Sequence, residues 1–142
     1  MDESAYRQVL TTSIANPCPF EKSILTHCAG CSKAEKHNVA EREAVGCSRV
    51  EGYNQCMELY GALRHSFSFA LHRAHAEGPL THAQEMRVQC GGLKGLRFVM
   101  GGNTEIDDVD AMVTIAQQTY GDWDALPHTE IVHWAAENYR PR

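Results

Sequence analysis

The chain has 142 residues, of which 43% are hydrophobic and 22% charged, and a net charge of −5. That size supports one domain with a core of its own, without disulfide support. The acidic balance argues against a general nucleic-acid binder, which needs a basic footprint, and no apolar run is long enough to cross a membrane. The opening MDESAYRQVL has no basic start followed by an apolar block, so no secretory signal is expected. The expectation is a cytoplasmic protein with reduced thiols, a single domain over residues 1–142 and no membrane partner.

In chain order, a first helix is predicted over Glu3–Ser13, with Tyr6, Val9 and Leu10 on one face. Pro17 and Pro19 exclude a regular helix at the start of the next stretch, which stays irregular to Cys31. Ser32-Lys33-Ala34-Glu35 has the spacing of a capping box and predicts a helix from Ser32 to about Gly46. Ser48-Arg49-Val50-Glu51 repeats that signal. It opens the longest periodic stripe: Val50, Tyr53, Met57, Tyr60, Leu63, Phe67, Leu71 and Ala74, ended by Gly78-Pro79. Thr81-His82-Ala83-Gln84 is a third box, followed by the stripe Met86, Cys90, Leu93, Leu96 and Met100. A further helix is expected from about Thr104 to Tyr120 and a last one after Pro127. Leu96–Met100 is the only competing strand, and it is short. The pattern predicts an all-α domain of about five helices with an irregular Cys-rich loop near the N-terminus.

Six cysteines stand at 18, 28, 31, 47, 56 and 90, and the first four read C-x9-C-x2-C-x15-C. Two residues between thiols let both face one centre from a single turn, as in zinc sites, iron–sulfur sites and thiol redox motifs. Thiol redox usually places this pair near a βαβ pattern, which is absent. Zinc usually takes two compact ligand pairs, and here there is one. A cubane cluster accepts four thiolates from scattered loops. Cys31 and Cys47 each precede an expected helix cap, where free N–H groups favour thiolates. The expected ligands of a [4Fe-4S] cluster are therefore Cys18, Cys28, Cys31 and Cys47. Cys90, followed by Gly91, Gly92 and Gly95, is in reserve, and Cys56 is assigned to the core. The function expected is electron transfer or redox sensing with a protein redox partner. The alternatives are a structural zinc module for protein–protein contact and an enzyme using the cluster at an open iron site.

Other signals are weaker. His65, His72 and His75 share one helix, and Glu130-x-x-His133 is half of a di-iron unit without its second half. Cys90–Leu96 lacks the spacing of a phosphate loop or a dinucleotide turn, and tight helix packing accounts for Gly91 and Gly95. The acid-free basic stretch around Lys94 and Arg97 could dock an acidic partner. Asp107–Asp110 suits the acidic start of a helix.

Overall fold

The computed structural model describes residues 3–70 and 78–140. Its elements are α1 (Glu3–Ser13), α2 (Glu21–Leu25), β1 (Ala34–Val39), β2 (Arg42–Cys47), α3 (Val50–Ala70) and α4 (His82–Met86). A π-helical turn (Arg87–Gly91), α5 (Gly92–Val99), α6 (Val109–Tyr120), a 3-10 turn (Trp123–Ala125) and α7 (His128–Asn138) follow. Among the described residues no helix is long and apolar enough to cross a membrane.

The all-α expectation is overturned at Ser32–Gly46. This segment is an antiparallel hairpin, paired from Ala34↔Cys47 to Val39↔Arg42. Ala40 and Glu41 make the turn at φ 52° and 67°, the two-residue geometry whose twist matches a hairpin. Alanine, glutamate, lysine and arginine favour helix, but that preference is a weak bias which tertiary burial overrides. Ala44, Val45 and Gly46 are buried, and Val39 and Ala44 pack with Tyr6 and Leu10 of the first helix and Ile14 just after it. A Cβ on Gly46 would come 2.8 Å from Ile14 Cγ2.

The proline-containing stretch is drawn in too. Cys18 N donates to Val45 O at 2.9 Å and Cys47 N to Asn16 O at 2.8 Å, so residues 16–18 run along β2. The turn itself carries strain, because neither residue is glycine. Ala40→Gly should therefore raise the unfolding free energy by up to about 1 kcal/mol, measured by urea unfolding. An unchanged midpoint would show that the left-handed backbone costs nothing there.

The main core lies around α3. Cys56, Leu59, Leu63 and Phe67 meet Val88, Leu93 and Leu96 on one side, Met112, Val113 and Ala116 of α6 on another, and Ile131 and Ala135 of α7. Its buried face is turned by about one residue from the expected stripe: Val50 and Met57 are exposed, while Cys56 and Leu59 are inside. Leu71 and Ala74 lie outside the described residues, as do His72 and His75.

The Thr81 box is formed, with Gln84 as its reciprocal partner. α4, the π turn and α5 continue into one another without a break, so Leu96–Met100 is no strand. The close packing expected of the glycines is present. A Cβ on Gly91 would meet Ala135 Cβ at 3.1 Å, and one on Gly95 would meet Ile131 O at 2.8 Å. α6 begins at Val109, later than expected, with Ile106 buried in the loop before it. Gly121, at φ 79°, ends α6.

Candidate functional site: a disulfide beside a thiol-lined cavity

Cys28 and Cys90 are joined by a disulfide with Cα atoms 6.2 Å apart. The chain brings them together in identifiable steps. α2 stops at Leu25, and His27 at φ 63° turns the backbone back. The N–H groups of Cys28 and Ala29 then donate to Ser23 O at 3.0 and 3.2 Å. Gly30 fastens the other side of the loop: its N–H donates to Ile106 O at 2.9 Å, and its carbonyl accepts from Val109 N at 2.8 Å. Cys28-Ala29-Gly30-Cys31 is thus held between the end of α2 and the lead into α6.

Cys90 comes from the π turn. An extra residue in a helical turn widens it, and here four consecutive residues, Val88, Gln89, Cys90 and Gly91, are buried. Cys90 is fully buried, whereas Cys28 is partly exposed. Its sulfur lies 3.5 Å from Ser23 Oγ and 4.0 Å from Thr26 Oγ1. A bonded sulfur has no proton, so the Ser23 hydroxyl donates.

Behind Ser23 runs a buried polar chain. Ser23 N donates to Gln89 Oε1 at 3.2 Å, Gln89 Nε2 to Glu85 Oε1 at 3.5 Å, and Tyr60 Oη to the same oxygen at 2.5 Å. Burial and the bond to Glu85 hold the Tyr60 phenol above its usual range.

The other four cysteines are free. Cys18, Cys31, Cys47 and Cys56 all line one cavity of about 20 Å³, together with Gly52, Tyr53, Val109 and Asp110. Burial pushes the Cys18 thiol up to about 12, and repulsion from Cys31 and Cys47 adds to this against a hydrogen bond from the Phe20 backbone. Burial also raises Cys56, with Cys18, Cys31 and Cys47 reinforcing it. Cys31 is raised by burial, opposed by hydrogen bonds from the backbone of Lys33 and Asp110. The Cys47 thiol donates to Arg49 O at 3.2 Å.

The acidic run before α6 ties this region together. Asp108 accepts Ser32 N at 3.0 Å and Ser32 Oγ at 2.7 Å. Burial works against its ionisation, but these bonds outweigh it and hold its carboxyl below the usual range. Asp110 accepts from Arg49 Nε at 3.0 Å, and a Cβ on Gly52 would come 2.4 Å from Asp110 Oδ1.

These positions correct the expected cofactor. Cys28 is spent in a bond to Cys90, so neither expected ligand Cys28 nor reserve ligand Cys90 has a free thiolate. Among the described residues no group of three or more histidine, cysteine, aspartate or glutamate side chains is placed to hold a metal ion. The residues do not fit a [4Fe-4S] cluster, or zinc in its place. Ser32 caps no helix, since a strand follows it. The helix N-terminus beside Cys31 is that of α6, which sequence spacing did not reveal. Cys56, read as core, faces the same cavity as Cys18, Cys31 and Cys47. Its core reading stands, since it is 8% exposed within the main core.

The remaining candidates have ordinary partners. His133 Nε2 lies 3.2 Å from Glu137 at the surface. Lys94 Nζ donates to Thr104 O at 3.3 Å. No protein-family model matches the chain, and no curated protein or solved structure matches it.

Proposed function

We propose that this is a thiol–disulfide redox protein that exchanges two electrons with the dithiol of a protein partner through Cys28 and Cys90. The observation that carries the reading is the asymmetry of the bond: Cys28 is partly exposed on a clamped loop, and Cys90 is fully buried within the π turn. A partner thiolate attacks Cys28 Sγ, the sulfur–sulfur bond breaks, and Cys90 leaves as a thiolate that takes up a proton. The partner's second thiolate then attacks its own sulfur in the mixed disulfide, and Cys28 leaves and is protonated. The partner ends oxidised and this protein reduced. Ser23 places a hydroxyl beside the departing Cys90 sulfur, and a stabilised leaving thiolate speeds exchange. Reduction also frees the loop from the π turn, which couples redox state to shape and suits redox sensing.

Equilibration against thiol buffers tests this. The expected reduction potential lies between about −120 and −270 mV, the range of exchanging disulfides. With glutathione disulfide as the donor, the Cys28 thiolate of Cys90→Ala should attack it, release one glutathione thiolate and keep the mixed disulfide, whereas the buried Cys90 of Cys28→Ala should form none. A potential below about −300 mV would mark a permanent staple and overturn the reading.

A further inference from the structure

The core uses only part of the apolar stripe along α3. Its buried face is turned by about one residue, which leaves Tyr53, Met57 and Tyr60 at the edge of the core. The two tyrosines are half-buried, and Met57 is 44% exposed. Steps of four and three put these side chains on one face of the helix. Among the described residues they line one groove of about 780 Å³, a usual size for a small-molecule site. Pro17, Pro19 and Leu80 add apolar surface to it. Its charge is opposite to that of the whole chain. Arg7, Lys22, Arg42 and Arg64 line it against two carboxylates, Glu21 and Glu85, so cations exceed anions by two in a protein of net charge −5. Both carboxylates are engaged within the protein. Glu21 Oε1 accepts from Tyr6 Oη and from Val45 N, each at 3.1 Å. Glu85 is buried and holds Tyr60 and Gln89. Two of the cations are held in place: the Arg42 guanidinium lies 3.6 Å from the centroid of the Tyr6 ring, and Lys22 Nζ lies 3.1 Å from His82 Nδ1.

We propose that this groove binds a small organic anion, an aromatic or bulky aliphatic carboxylate. Its apolar body lies on Tyr53, Met57 and Tyr60, and its carboxylate faces the arginine and lysine side chains. The juxtaposition of an apolar wall with excess positive charge decides the class. Arginine offers paired N–H donors that match a carboxylate, and tyrosine offers a ring face to an apolar body. A neutral apolar molecule would displace water from the cations and return no charge to them. A small polar anion would leave the wall in water. The site goes beyond the exchange at Cys28 and Cys90 and does not depend on it.

The test titrates the full chain, with the Cys28–Cys90 bond intact, with the fluorescent anion anilinonaphthalene sulfonate. The probe should saturate a single site per chain. Naphthoate should displace it. Naphthylmethylammonium has the same rings with the opposite charge, and acetate has the charge without the rings, so neither should displace it at the same concentration. Lys22→Glu and Met57→Glu should each weaken probe binding about tenfold or more. Lys36→Glu makes the same charge change as Lys22→Glu on an exposed position of β1 outside the groove, and it should change binding by less than about twofold, because salt screens distant surface charges. Equal displacement by the two naphthalene compounds, binding that does not saturate at a single site, or an equal loss in Lys36→Glu overturns the proposal. So does displacement by hexaglutamate but not by naphthoate, which would mark a peptide groove. If Lys22→Glu or Met57→Glu does not fold, the displacement series on the wild-type chain decides. A staple-like potential at Cys28–Cys90 would leave these results unaffected, so the two readings fail separately.

Discussion

Breaking the Cys28–Cys90 bond should lower the unfolding free energy by about 4 kcal/mol, the chain-entropy value for a loop of this size. The bond spans 62 residues of sequence, so it removes many conformations from the unfolded chain. It also ties the irregular Cys28–Cys31 loop to the π turn. Urea unfolding of the oxidised protein, the reduced protein and the Cys28→Ala/Cys90→Ala variant measures the effect. The reduced protein and the double variant should agree with each other and fall below the oxidised form. Equal stability of all three would mean that the bond constrains neither the native nor the unfolded state. The size of the effect matters for function, because a redox change worth this much energy is large against the total stability of a small domain.

The second large effect is expected at Gly30. A Cβ there would come 2.9 Å from Asp107 O, a backbone atom that cannot swing aside. The Gly30 backbone also makes both hydrogen bonds that fasten the loop to Ile106 and Val109. Gly30→Ala should cost about 1–3 kcal/mol, as overpacking does. It should also speed alkylation of Cys31 at constant pH, because the loop that shields it moves off α6. Gly61 is the control: a Cβ there meets nothing within 4 Å, and it lies on a helix. Gly61→Ala should therefore stabilise by up to about 1 kcal/mol through helix propensity. Thermal unfolding with a thiol-labelling time course distinguishes the two variants.

The helices were legible where period and caps agreed. α1 has the expected bounds, the Thr81 box forms, and the glycines of α5 serve close packing. The hairpin was hidden because its local residues favour helix and its stabilisation is distant. Val39 and Ala44 need α1, and Gly46 needs Pro17 alongside it. The turn gave no warning either, since Ala40 and Glu41 are not turn formers.

The cysteines show the same division. Their spacing suggested that Cys18, Cys28, Cys31 and Cys47 converge on one metal centre; Cys18, Cys31 and Cys47 line one cavity, and Cys28 is bonded to Cys90 instead. Partner choice did not follow from spacing. The Cys28-x-x-Cys31 pair suggested a shared centre, but the π turn turned Cys90 toward Cys28 and left Cys31 to the cavity. A π turn has no reliable local signature. Cys56 was read as core and is buried there, on the side of the core that borders the cavity.

The π turn carries a consequence for the whole α4–α5 rod. An α-helix advances about 100° per residue, so the extra residue between Arg87 and Gly91 sets the azimuth of everything on α4 relative to α5. Gln84, Glu85 and Thr81 on one side and the glycine edge of α5 on the other are both in place only because that offset exists. The covalent tie at Cys90 locks the offset, and the rod cannot rewind to regular pitch without straining its bond to the loop that follows α2. Bond and bulge therefore act as a single latch, and opening one relieves the constraint that keeps the other.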